Sequence, residues 1–159
     1  MRNQSDLQAS ILDRLIDHEP ELSSETGPGR FAGYYQVRES VRRDLEHLLN
    51  TRRCIHPVPE EDAAVRASVF SYGVRDFISQ SPRSPSLRQS LRLEIERILT
   101  LFEPRLKMVT VRLDTQASCQ RNLCFWITAL LYADQAIAPI TFDTSFDINS
   151  GACSILQVN

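Results

Sequence analysis

The sequence predicts an α+β domain in which N-terminal helices are followed by a largely antiparallel sheet, with the helices packed on one face. Two observations carry that expectation. Apolar residues recur at helical spacing as far as Phe102, and from Glu103 onward the period changes to two. A third supports it: 159 residues with 42% hydrophobic and 24% charged content suit one ordinary globular domain. At that length folding buries roughly 70% of the unfolded surface, so no disulfide or metal is needed to hold the chain together.

Leu7, Ile11, Leu12, Leu15 and Ile16 share one side of a helix over residues 5–17, with Asp13, Arg14 and Asp17 turned away. This helix either packs on its own domain or docks on a partner. Residues 23–33 (SSETGPGRFAG) hold three of the five glycines and read as a flexible connection. The chain thus divides into an amphipathic helix with an acidic segment over residues 1–25, a linker over 26–35 and the main domain over 36–159.

Val37, Val41, Leu45, Leu48 and Leu49 predict a helix over about 36–50, with Glu39–Arg43 and Arg42–Glu46 as charge pairs one turn apart. Arg52 and Arg53 follow where they could neutralise the negative end of its macrodipole, and Pro57 and Pro59 stop any continuation. A weaker helical stretch runs from Pro59 through Val65 and Val69 to Tyr72-Gly73, where glycine can supply a left-handed terminator. After a proline- and serine-rich loop, Leu87, Leu91, Ile95, Ile98, Leu99 and Phe102 line a helix over about 86–102, the expected main wall of the core. Its start is capped either by Ser84 with Pro85 in the first turn or by Ser86 with Gln89 reaching back.

Val109, Val111 and Leu113 then alternate with Met108, Thr110 and Arg112 in a half-buried strand. The next strand is apolar on both sides, Leu123, Phe125, Ile127, Ala129 and Leu131 against Cys124, Trp126, Thr128, Leu130 and Tyr132, which predicts a central position. Ile140, Phe142, Phe146 and Ile148 mark a third strand, and Asn149-Ser150-Gly151 turns into a last one through Ile155 and Val158. The outer edge of that last strand is expected to be free to pair with another chain.

A net charge of -2 gives no whole-chain attraction to nucleic acid. The charge is uneven: residues 1–25 carry two arginines against six carboxylates, and residues 26–56 six arginines against three. Lys107 is the one lysine among 18 basic residues, which favours bidentate ion pairing and protein contacts. The N-terminus has no signal-peptide pattern and no apolar run long enough to span a bilayer, so a cytoplasmic location without membrane insertion is expected. Cys54, Cys119, Cys124 and Cys153 lack CxxC spacing and read as free thiols; a zinc site from Cys119, Cys124 and Cys153 has the wrong spacing for a knuckle. No metal and no cofactor are expected.

His18, His47 and His56 lack a local serine or cysteine partner, and no glycine-rich phosphate loop exists. A glycosidase would need a protonated carboxylic acid in an apolar pocket, and Glu103 is the obvious candidate. Pro104, however, pushes Glu103 toward extended geometry, so Glu103 and Arg105 should project in similar directions roughly 7 Å apart. A neighbouring guanidinium favours the ionised carboxylate, the opposite of what a general acid requires. The step is better suited either to presenting both charges to a partner or to pairing them internally, and no catalytic residue is expected.

Residues 102–106 (FEPRL) resemble the EPR signature of the lysozyme-like family of contractile-phage and type VI secretion baseplate wedge proteins, which includes TssE. Residues 11–15 (ILDRL) resemble the opening of the TssE group, 40–53 (SVRRDLEHLLNTRR) its second helix and 72–77 (YGVRDF) its YGxxDF step. Phe142-Asp143-Thr144, Asp147 and Ser150-Gly151 resemble the closing hairpin, and all fall in family order.

The resemblance implies a cytoplasmic structural subunit in a baseplate docked at the inner membrane, with TssF and TssG as wedge partners. It also implies that the subunit initiates polymerisation of the contractile sheath, binding TssB and TssC by β-strand addition. Glu103, Pro104 and Arg105 would form the wedge-assembly motif, with Arg42, Arg43, Arg52, Arg53, Tyr72, Asp76 and Phe77 as partner-facing candidates. Phe142, Asp143, Thr144, Asp147, Ile155 and Val158 are the candidates for docking sheath strands. The alternatives are a peptidoglycan glycosidase and an anti-adaptor of related fold.

Overall fold

The computed structural model describes residues 7–8, 11, 15, 31–32, 34–56, 61–77, 84–114, 122–133, 136–147 and 150–158. Strand β1 (Leu7–Gln8) pairs antiparallel with β2 (Phe31–Ala32). Leu7 is therefore extended rather than part of the first helix, while Ile11 and Leu15 are helical and exposed. The remainder of the helix expected over 5–17 lies outside the described residues. Of the expected linker over 26–35, the pair Phe31–Ala32 is strand and the last two residues already belong to the next helix.

Helix α1 (Tyr34–Asn50) turns Val37, Val41, Leu45, Leu48 and Leu49 inward, as the spacing predicts. Arg42 pairs with Glu39 at 2.9 Å and with Glu46 at 2.8 Å on the outward side. The weak helical stretch is not one helix: α2 (Ala63–Arg66) is followed by a separate 3-10 turn at Val69–Ser71. Val65 and Val69 are exposed, so no core contact holds the two pieces in a single helix. Helix α3 (Pro85–Phe102) starts with Ser84 at its N-cap and Pro85 in its first turn. It contributes Leu87, Leu91, Ile95, Ile98 and Leu99 to the core.

Four antiparallel strands follow in sequential order: β3 (Leu106–Leu113), β4 (Asn122–Ala133), β5 (Ala136–Asp147) and β6 (Ala152–Val158). Helix α3 lies along β3 and α1 against β6, so both helices cover the same face of the sheet. Sheet residues completing the core include Leu123, Phe125, Ile127, Leu131, Ile140, Phe142 and Phe146. A fully buried side chain of this size contributes about 1.5–3 kcal/mol.

Leu106 faces Leu131 while Val111 faces Ile127, so β3 carries one residue more than β4 over that stretch. The bulge includes Met108 at φ 53° and brings Leu106 and Val111 onto the same buried face, where strict alternation would separate them. A second bulge leaves Leu156 exposed between the pairs Asp143–Gln157 and Thr144–Ile155. Strand β4 is central, as expected, but its second face is not covered: Trp126 and Tyr132 stay partly exposed because no described element packs there.

Candidate functional site

The chain leaves α3 through Glu103, whose N–H still donates to the Leu99 carbonyl at 3.0 Å and whose carbonyl accepts from Leu106 N–H at 3.1 Å. Pro104 reverses the direction between these bonds. The Glu103 side chain turns back onto Arg105: Oε1 accepts from Nε at 2.7 Å and Oε2 from Nη2 at 2.8 Å. Arg105 then reaches α1, with Nη2 donating to Asp44 Oδ2 at 2.6 Å and Nη1 to Ser40 Oγ at 3.1 Å. One planar guanidinium thus joins the α3–β3 junction to α1 through its fixed fork of donors.

Glu103 is only 4% exposed. The expectation that Glu103 and Arg105 project side by side, well separated, is corrected: their charged ends touch, and the pair closes internally. Burial disfavours the Arg105 charge, but hydrogen bonds and attraction from Glu103 and then Asp44 outweigh it and hold its pKa above the usual arginine value. Tyr72 stands against this group, its ring edge-on to Phe102 with centroids 5.2 Å apart. Burial, then the charges of Asp44 and Glu103, push the Tyr72 phenol above its ordinary pKa.

A second carboxylate is enclosed at the far end of α1. Glu94 of α3 accepts from Arg53 Nη1 at 3.0 Å and is gripped by Arg97 through Nε at 3.1 Å and Nη2 at 3.0 Å. Arg53 has its pKa lowered, first by burial, against the attraction of Glu94 and together with repulsion from Arg75 and Arg97. Arg52 donates to Asp76 at 3.4 Å and to the Ser150 carbonyl at 3.4 Å. Arg52 and Arg53 therefore lie just past the end of α1 and tie it to Asp76, Ser150 and Glu94 of other elements.

The segment after Tyr72 is tied to this end of α1 by Val74 N–H to Thr51 O at 2.8 Å and Arg53 N–H to Val74 O at 2.9 Å. Gly73 makes the approach possible: its φ is +99°, and a Cβ there would lie 2.4 Å from the Thr51 carbonyl oxygen. Phe77, expected to face a partner, is instead in the core. Arg42 and Arg43 are half-buried along α1, Arg43 pairing with Asp44 at 3.5 Å, while Arg52, Arg75 and Asp76 are exposed.

The strand candidates divide. Phe142, Asp143, Thr144 and Asp147 lie on β5, an inner strand paired on both sides, and Phe142 and Thr144 are buried. They cannot form a free edge. Ile155 and Val158 lie on β6, which is an edge strand, but its outer side is already engaged at Cys153 and Ile155. The Asn50 amide accepts from Cys153 N–H and donates to Cys153 C=O, each at 2.8 Å, and Glu46 accepts from Ile155 N–H at 3.4 Å. At the opposite edge, Glu96 of α3 accepts from the Val111 N–H at 2.9 Å.

Sequence reasoning missed Asp44, Ser40, Glu94, Arg97 and Asn50. Glu94 carried a readable signal, a carboxylate between Leu91 and Ile95 on an otherwise apolar helix face. Asp44 and Ser40 stand one turn apart beside the stripe of α1, which reads equally well as an ordinary helix flank.

A carboxylate clamped by a guanidinium is unsuited to general-acid work. The clearest recess among the described residues, lined by Thr51, Arg52, Arg75, Asp76 and Gly151, has room for about one water molecule and contains neither Glu103 nor Glu94. Cys124 is half-exposed on the outer face of the sheet and Cys153 is buried on the inner one, so the two cannot converge on one metal; Cys119 lies outside the described residues. Burial, with Glu46 adding to it, pushes the Cys153 thiol up to about 12.

An α+β domain with its motif charges locked internally and its positive charge carried almost wholly by arginine fits a protein of assemblies. The family model for baseplate wedge protein gp25 matches residues 35–136, and the chain belongs to that family, which is also the family of TssE. No curated protein and no solved structure matched in the same comparison. Membership gives the chain a structural role of the phage-baseplate type.

Proposed function

We propose that this chain is a non-catalytic, TssE-type wedge subunit of a type VI secretion baseplate, bound to TssF and TssG and starting the sheath of TssB and TssC by strand addition. It would act in the cytoplasm, in a baseplate at the inner membrane. The observation that carries the reading is the Glu103–Pro104–Arg105 clamp, which lies within the span matched by the wedge family and is bonded to Asp44 and Ser40 of α1. Its role is to fix α1 against the α3–β3 junction. The arginine-rich end of α1, with Arg52 exposed beside Arg75 and Asp76, is the surface offered to the wedge partners.

The test is co-purification from cells. The wild-type chain should bring down TssF and TssG, and the variant Arg52→Glu/Arg75→Glu should lose them while melting within a few degrees of wild type. Retention of both partners by a folded double variant would remove this surface from the interface, and failure of the wild type to capture any baseplate protein would remove the function. No observation favours the glycosidase, because Glu103 is held as a salt-bridged carboxylate away from the recess.

A further inference from the structure

An edge strand exposes a row of N–H and C=O groups that another strand can read. At Cys153 the side chain of Asn50 reads them first: its Oδ1 takes the N–H and its Nδ2 gives to the C=O, both at 2.8 Å. In an antiparallel ladder, a hydrogen-bonded pair of residues exchanges this same set of two bonds. The Asn50 carboxamide is chemically a peptide group, and it occupies the position a residue of an added strand would take. Glu46, one turn earlier on α1, adds a longer bond to the next outward N–H, at Ile155. Asn50 Nδ2 also donates to Glu46 O at 2.8 Å, and Arg42 holds the Glu46 carboxylate at 2.8 Å, so the clasp is braced from its own helix.

We propose that α1 latches the β6 edge, and that strand addition there proceeds by exchange. The incoming backbone takes over the two bonds at Cys153 from Asn50, then the one at Ile155 from Glu46. A backbone matches both bonds at Cys153 and also reaches the Ile155 N–H two residues on, so the occupant is an extended segment, and on the strand-addition reading above it belongs to a sheath subunit. The inference rests on the strand-addition reading above and adds regulation to it. In the free subunit the backbone groups at Cys153 and the Ile155 N–H are occupied by Asn50 and Glu46, so an incoming strand must displace those side chains. The edge opens to a segment that supplies enough further bonds along β6, past the bulge at Leu156, to offset the two lost from Asn50.

The experiment compares full-length wild type, Asn50→Ala and Glu46→Ala by amide exchange at Cys153 and Ile155 and by the rate of capture of purified TssB–TssC. In Asn50→Ala the Cys153 amide should exchange at least tenfold faster and capture should be several-fold faster. Glu46→Ala should show a smaller gain confined to Ile155, and it keeps the latch testable if the first variant folds poorly. Faster exchange with unchanged or slower capture would overturn the latch while leaving strand addition in place, since a merely structural Asn50 would lower stability without speeding capture. Unchanged exchange in both variants would show that the clasp does not guard the edge and would overturn it as well. If the wild type and both variants all fail to capture TssB–TssC, the strand-addition reading falls and the latch falls with it.

Discussion

The two enclosed ion clusters use the same groups in opposite proportion. Around Arg105, two carboxylates, Glu103 and Asp44, share one guanidinium that also binds Ser40. Around Glu94, two guanidiniums from Arg53 and Arg97 share one carboxylate, with Arg75 close enough to repel Arg53. In the first, every charge is used to join elements of the domain. In the second, positive charge is left over at an open surface, since Arg97 has 40% of its side chain exposed. The first arrangement is suited to holding the fold, and the second leaves arginine exposed at the end of α1 where the proposed wedge surface lies.

Arg105→Ala should break that comparison most severely. It leaves a buried Glu103 without its partner, and the expected loss is about 3 kcal/mol in urea-unfolding free energy. A loss below about 1 kcal/mol would mean that water or another group takes over the carboxylate. Gly73→Ala, which joins neither cluster but docks the segment between them, should cost about 2 kcal/mol, because the positive φ and the Thr51 carbonyl both exclude a Cβ. Arg97→Ala should cost only about 1 kcal/mol, because Arg53 remains on Glu94.

Raising the pH should sharpen the contrast. Tyr72 has a folded pKa above its unfolded value of about 10, so its contribution is complete below that pH and is lost as pH rises through the folded value. Its phenolate would face Asp44 and Glu103, so alkaline stress falls on the first cluster. Cys153 adds loss between its ordinary 9.0 and about 12. Tyr72→Phe should therefore flatten the fall in melting temperature above pH 10, and Cys153→Ala should flatten what remains; an unaltered alkaline slope in both variants would contradict the assignment. The smallest expected effect on stability is at Arg75→Glu, within about 0.5 kcal/mol, with loss of TssF and TssG binding as the readout.

Much of this fold was legible because hydrophobic periodicity reports burial directly. The apolar stripes of α1 and α3 and the inward set Leu123, Phe125, Ile127 and Leu131 on β4 stand where the spacing put them. Periodicity failed where the period itself is interrupted. The bulge at Met108 is invisible in the alternation of β3, and the apolar second face of β4 gave no sign that it would remain partly exposed. The Glu-Pro-Arg step drew attention to the right residues, but not to their closure on one another, because a proline fixes one dihedral and leaves the side-chain torsions to be decided by what lies nearby.

The sequence alone determined the order α1, α3 and β3 to β6, most of their buried faces and the glycine at position 73, since local sterics and the solvent preference of each side chain act whatever the distant surroundings. Tertiary structure alone decided which charge meets which. Asp44 and Arg105 stand 61 positions apart, and Asn50 and Cys153 stand 103 apart. A hydrogen bond needs its partners within about 3.5 Å, so only the packing of α1 against the rest of the domain could select those partners and engage, at Cys153 and Ile155, an edge that looked open in sequence.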